Sequence, residues 1–197
     1  MKAFSKSTLL FFPFYVIFAQ GPTVVQVTTT TVDGIYNDAD PIIPIQIQFT
    51  AIVNVTGTPQ LTLATGGTGA AVDYTIGSGT TILTFNYDIA ADHNSSDLDY
   101  ASTVALALNG GTINDAAGNA ATLTLATPGA ANSLGDNSNI IIDTTPPTIS
   151  GVSSTEINAT FILGDLIHIN ITFDGTVIVT GIPQLELETG LSNETVD

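Results

Sequence analysis

The strongest constraint on this chain is that it repeats itself. The segment Val53–Gly66 recurs as Val177–Gly190, with ten identities in fourteen positions, and the core of both copies reads G-x-P-Q-L-x-L-x-T-G. Val72 and Asp73 match Val196 and Asp197. Upstream, Pro22 and Thr23 match Pro147 and Thr148, Tyr36 matches Phe161, and Asp40 matches Asp165. The offset is 125 before this segment and 124 within it, so the second copy lacks one residue between the two blocks. A chain built this way holds one structural unit over Gly21 to Asp143. The beginning of a second runs over 144–197, truncated after the counterpart of Asp73. The parent chain is therefore expected to continue.

The pattern within a copy is that of strands. Ile43, Ile45, Ile47 and Phe49 alternate with Pro44, Gln46 and Gln48, and Ile167, Ile169, Ile171 and Phe173 alternate likewise in the second copy. Alternation of this period places one face of a pleated strand in a core. Further strands are expected at Thr23–Thr29, Val53–Val55, Gln60–Thr65, Val72–Ile76, Thr81–Tyr87, Thr103–Leu108, Ala121–Leu125 and Asn139–Ile142. Gly77-Ser-Gly79 and Asn109-Gly-Gly111 supply turns between them. The fold class is all-β, and eight or nine short strands at this spacing suit an immunoglobulin-like Greek-key β-sandwich. At the junction, Asp143-Thr-Thr-Pro-Pro147 fixes two φ angles and predicts an extended linker, so that successive units stand end to end.

Charge narrows the function. The chain carries 18 Asp and Glu but only two basic residues, Lys2 and Lys6. Both precede the apolar run Leu9–Ala19, which is too short to span a bilayer and reads as a secretory leader over residues 1–20, cut before Gln20. The mature chain then has no Lys or Arg. Such a surface repels nucleic-acid phosphates and anionic membranes, and offers no cation to hold a phosphate or carboxylate substrate. There is no cysteine, so thiol catalysis, thiolate metal sites and disulfide staples are all excluded.

Carboxylates without partners need hydration or metal. Oxygen-rich loops suit calcium, which takes six to eight oxygen ligands. The candidates are Asp38 and Asp40 in the loop before a strand, Asp115 facing Asn119 in a turn, Asp143 at the end of the last strand, and Asp165 as the counterpart of Asp40. Asp88, Asp92, Asp97 and Asp99 crowd another loop. None fits the twelve-residue EF-hand pattern. The competing reading is that each Asp simply closes a turn with its own side chain.

Nothing points to catalysis. There is no G-x-S-x-G elbow, phosphate loop or H-E-x-x-H helix. His93 lies in the acidic loop, and His168 stands where the first copy has Pro44, so neither anchors a shared site. A glycosidase needs a carboxylate pair in a cleft, whereas these acids sit in Gly- and Asn-rich turns, and Trp is absent. Tyr74, Tyr87 and Tyr100 fall in step with core positions and read as structural.

Five segments carry a family resemblance: V-T-G-T-P-Q-L-T-L (Val55–Leu63), D-L-D-Y (Asp97–Tyr100), A-L-N-G-G-T-I (Ala107–Ile113), D-A-A-G-N (Asp115–Asn119) and D-T-T-P-P (Asp143–Pro147). In this order they resemble the bacterial immunoglobulin-like tandem repeats of large cell-surface and adhesin-type proteins, including the repeat type associated with cyanobacterial swimming motility. The resemblance implies export, tandem arrays and a structural or adhesive role. It also implies that calcium stiffens domain junctions, with Asp143 meeting Asp165 across the joint. The expected partners are neighbouring repeats, with a cell-surface glycan or protein as ligand. Two alternatives stay open: a carbohydrate- or protein-binding module, and the accessory region of a secreted hydrolase.

Overall fold

A computed structural model describes residues 20–190 and 193–196. Of the expected leader, residues 1–20, all but Gln20 lie outside the described residues. The chain divides between Thr144 and Thr145 into two units. Both are β-structured, and the first holds a single short helix. Among the described residues no helix is long and apolar enough to cross a membrane.

Unit one is organised by one long strand, β3 (Ile43–Thr56). Its alternation does what the pattern dictates: Ile43, Ile45, Ile47 and Phe49 are all buried, while the residues between them are half-exposed. On one side β3 pairs antiparallel with β1 (Val24–Thr29), and on the other with β6 (Thr80–Tyr87). At Thr50–Ile52 all three side chains are exposed and the ladder to β6 shifts register. Beyond this irregularity, Asn54–Thr56 pair with β9 (Thr112–Asn114). An irregularity of this kind bends a strand and re-aims its edge, so two short strands expected from sequence form one continuous element with two sets of neighbours.

The remaining elements build outward from β6. β5 (Ala70–Ile76) pairs with β6, β4 (Gln60–Leu63) with β5, and β8 (Leu106–Ala107) with β4, all antiparallel. The order is β1-β3-β6-β5-β4-β8, with β9 attached to β3. A second sheet holds β2 (Gly34–Tyr36), β10 (Ile140–Asp143) and β7 (Asn94–Ser95), with β10 in the middle. The two curled sheets enclose one core, in which Val27, Leu61, Leu63, Leu83, Phe85, Leu98, Tyr100, Ile140 and Ile142 are buried with the β3 residues. The class is all-β, of sandwich-like build.

Three expected strands come out differently. Thr103–Leu108 reduces to Leu106–Ala107, and Gln60–Thr65 stops at Leu63. Ala121–Leu125 is not a strand, because its N–H groups go to three places: Ala121 to the Ile113 carbonyl, Thr122 to Pro22 and Leu125 to Thr103. The helix, α1 (Leu134–Asn137), is one turn capped by Ser133, whose hydroxyl accepts from the Asp136 N–H at 3.1 Å.

Unit two repeats two strand pairs of unit one, β1–β3 and β4–β5, in the same registers. β11 (Ile149–Ser154) pairs with β12 (Ile169–Phe173) from Ile149↔Phe173, with a shift before Gly151; β1 pairs with β3 from Val24↔Phe49, with a shift before Gln26. Thr148 accepts from the Asp174 N–H at 3.0 Å as Thr23 accepts from Thr50 at 2.9 Å. β13 (Leu185–Glu188) pairs with β14 (Asn193–Val196) in the register Leu185↔Val196, matching Leu61↔Val72. The repeat seen in the sequence is thus a repeat of registers, including the position of the bulge.

Burial sets the energetic difference between copies. Ile47→Ala should cost about 2–5 kcal/mol in a urea melt, because it opens a cavity in a closed core. Its counterpart Ile171→Ala, at an exposed position, should cost less than about 0.5 kcal/mol. Equal costs would mean that unit two is packed as tightly as unit one.

Candidate functional site

Three of the carboxylates singled out from sequence, Asp40, Asp115 and Asp165, close turns. Asp40 accepts the Asn37 N–H at 2.7 Å and its own N–H goes to the Asn37 carbonyl at 3.1 Å. Asp165 repeats this geometry on Ile162, at 2.8 and 3.0 Å. One residue type at one repeat position therefore closes the same turn in both units. Asp38 is exposed in the first of these turns. Asp115 accepts from the N–H groups of Ala117 and Asn119 at 2.9 and 2.8 Å and from Asn119 Nδ2 at 2.7 Å. Those bonds, the Asn119 side chain foremost, hold its carboxyl below the usual range. Asp143 ends β10 opposite Asn94 and belongs to unit one, whereas Asp165 belongs to unit two. Among the described residues no three His, Asp or Glu side chains are gathered as a metal-ligand group.

The crowding that sequence only half revealed lies elsewhere. Asp97 and Asp99 come from the turn after β7, and Asp33 from the segment before β2. Asp99 is buried and satisfied, accepting from the N–H groups of Tyr100 and Gly129, each at 2.8 Å. Asp97 is pushed upward, first by burial of its carboxyl and then by the charges of Asp99 and Asp33. Gly135 makes room for both: a Cβ there would stand 3.1 Å from Asp97 Oδ2 and 3.2 Å from Asp99 Oδ2. Asp33 Oδ1 in turn accepts the Asn139 N–H at 2.9 Å. Asp33 is 64 positions from Asp97, so no local pattern could have joined them.

The histidines are structural. His93 Nδ1 accepts the Ala90 N–H at 3.2 Å, lies 3.1 Å from the Tyr87 hydroxyl, and its ring stacks on Tyr87 at 5.8 Å. Burial, then the neighbouring Asp88 charge, pushes the Tyr87 hydroxyl up to about 12. His168 pairs with Glu156 at 2.7 Å on the surface of unit two. Glu156 is held down at about 2, chiefly by the Ser154 hydroxyl and then by His168. Tyr100 is fully buried and its hydroxyl donates to the Ala126 carbonyl at 2.8 Å; Tyr74 lies edge-on to Phe85 at 6.1 Å.

One concavity stands out, a groove of about 480 Å³ beside β5, lined by Ala70, Val72, Asp73, Asn86, Tyr87 and His93 among others. Asp73 is engaged by Gln60 Nε2 at 2.8 Å. The groove carries hydrogen-bonding groups, the Tyr87 hydroxyl and its partner His93 Nδ1 among them. Comparison with known protein families, curated proteins and solved structures found no match.

Two carboxylates should respond to pH in opposite directions. Asp97 has a raised folded pKa, so its ionisation destabilises: stability falls as pH rises through that value and stays lower at neutrality. Asp115 has a lowered folded pKa, so it contributes stability above the unfolded value and loses it as pH falls through the folded one. Thermal melts at pH 7 should therefore show Asp97→Asn raising Tm and Asp115→Asn lowering it. Both differences should vanish below the carboxylate range.

Proposed function

We propose that the chain is a non-catalytic, load-bearing spacer region of an exported cell-surface protein, built from immunoglobulin-like Greek-key repeats. One observation carries this reading: β2 and β10 pair in parallel, from Gly34↔Ile140 to Tyr36↔Ile142. Tension along the chain enters unit one through the β1–β2 segment from its N-terminal side and leaves through β10 from its C-terminal side. With the two strands parallel and in contact, that tension pulls along the ladder and loads its bonds together. An antiparallel terminal pair would be peeled one bond at a time.

The clasp is reinforced on both flanks. Val27 donates to the Asn132 carbonyl at 3.0 Å and accepts from Asn137 Nδ2 at 2.8 Å, while Gly34 donates to the Asn139 carbonyl at 3.1 Å. Past β10, Thr144 donates to Asn94 Oδ1 and to the His93 carbonyl, at 3.1 and 3.0 Å. The register-for-register repetition in unit two supports a tandem array, with neighbouring repeats as the principal partners. The acidic, lysine-free surface fits a spacer that avoids nucleic acid and membranes. Calcium at Asp143 and Asp165 belongs to this reading as a junction stiffener. The groove beside β5 favours the second reading, a module binding a cell-surface glycan or protein, since polar groups converge there.

Pulling the chain by its ends should unfold unit one in a single event that releases about 400 Å of contour, from 123 residues at about 3.3–3.6 Å each. Release in several small steps at low force would overturn the spacer reading. Tight binding to a glycan array, lost on Asn86→Ala, would favour the module instead.

A further inference from the structure

The large sheet of unit one turns a chemically sorted face outward. Val27, Ile45, Ile47, Leu61 and Phe85 are buried in the core, and the alternation of a strand turns their neighbours out. Those neighbours include Gln26, Gln46, Gln48, Gln60 and Asn86, carried by β1, β3, β4 and β6. Apart from Gln20, every glutamine of unit one stands on this face. Among the described residues, Asp73 of β5 is the one acid within the strands of this sheet, although the unit is otherwise rich in aspartate. Charge is thus kept to loops and turns while the sheet face carries amides. The second copy has uncharged polar residues at matching places: Asn170 for Gln46, Thr172 for Gln48 and Gln184 for Gln60.

Pairing lines these groups up across the strands. Gln26 stands opposite Gln48 and Gln60 opposite Asp73. Gln26 Nε2 donates to Gln48 Oε1, and Gln60 Nε2 to Asp73 Oδ1, each at 2.8 Å. Tyr74 pairs with Phe85 on the inner side, which sets Asp73 next to Asn86 on the outer side. Both line the groove of about 480 Å³, whose size falls in the range of small-ligand sites. Among the described residues, the side-chain amides of Gln46 and Asn86 have no hydrogen-bond partner. From β1 to β4 the strip crosses β3, β6 and β5, a span of about 19 Å at the usual strand spacing.

We propose that this strip binds a neutral glycan chain laid across the strands, with one sugar ring seated in the groove beside Asp73 and Asn86. The inference rests on the second reading above, a glycan-binding module, and narrows it to one face and one ligand class. An amide both donates and accepts, as a sugar hydroxyl does, so the two kinds of group satisfy each other. Asp73 accepts from a hydroxyl but repels carboxylated or sulfated sugars, and the described residues hold no Lys or Arg to attract them. Among the described residues this face has no aromatic, and the ring of Tyr87 in the groove is only 1% exposed. Binding therefore relies on hydrogen bonds rather than on stacking, so one unit binds weakly and successive repeats add strength by avidity. A peptide strand fits less well, because strand addition needs a sheet edge and this is the flat of the sheet.

The test is an NMR titration of the full chain, read at the side-chain amides of Gln26, Gln46, Gln48, Gln60 and Asn86. The probes vary in charge: neutral glucan, mannan, xylan and galactan oligomers, an anionic oligogalacturonate and a cationic glucosamine oligomer. At least one neutral oligomer should shift these amides saturably, and the oligogalacturonate should leave them unmoved. Asn86→Ala and Gln46→Ala should each weaken binding of that neutral oligomer about fivefold, without change in thermal stability. Neutral-oligomer binding that moves other residues instead would keep the glycan reading and overturn this placement. A response to the glucosamine oligomer alone would make the strip a site for cations and overturn the ligand class. Silence to every oligomer would overturn the proposal and the glycan reading together. Amide shifts that grow with chain concentration in the absence of sugar would assign the face to a second copy of the chain, again against the proposal.

Discussion

Unit one depends on where its last strand goes. β10 enters between β2, near the start of the unit, and β7, from its middle, and buries Ile140 and Ile142 in the common core. This insertion ties the two ends of the unit together and completes the second sheet. Without it β2 and β7 would have no shared neighbour, and the buried faces of Leu98 and Tyr100 would lose part of their cover. The same insertion fixes the mechanical sense of the unit, because the strand that leaves runs parallel to one near the entrance.

The described residues contain no Lys or Arg, which imposes a second condition: carboxylates there are satisfied by something other than lysine or arginine side chains. Asp40, Asp115 and Asp165 take backbone N–H groups of their own turns, and Asp174 takes the N–H and hydroxyl of Thr148. The acids thereby become local fasteners, each holding a loop that a glycine-rich sequence would leave loose. Asp97 is the exception, its carboxyl raised first by burial and then by the charges of Asp99 and Asp33, at a cost to stability near neutral pH.

Much of this was legible in the sequence where a local pattern carried it. The alternation from Ile43 to Phe49 foretold the buried face of β3, and the repeat foretold correspondences that extend to a shared bulge. Tyr87 and Tyr100 were readable as core because they fell in phase with apolar neighbours. The rest hinged on distant pairing. β2 is three residues with an exposed Ile35 at its centre, and only its contact with β10 makes it a strand. Ala121–Leu125 looked like a strand but divides its donors among three partners. Asp33 and Asp97 meet through folding alone. Of the calcium candidates, Asp40, Asp115 and Asp165 also close their own turns through backbone N–H groups, a use of the same oxygen-rich pattern that the sequence alone does not separate from metal binding.

The most direct test of the mechanical account separates rupture force from equilibrium stability. Gly34→Pro removes the N–H that bonds Asn139, and a Cβ at Gly34 has room, its nearest neighbour being the Tyr36 ring at 3.5 Å. Ile113→Val trims the core at β9, far along the chain from the clasp. Each should cost about 1 kcal/mol at equilibrium. Pulled by the ends, Gly34→Pro should rupture at clearly lower force, and Ile113→Val should rupture at nearly the wild-type force. Equal loss of force in both would show that strength follows overall stability, and the parallel clasp would have no special part in bearing load.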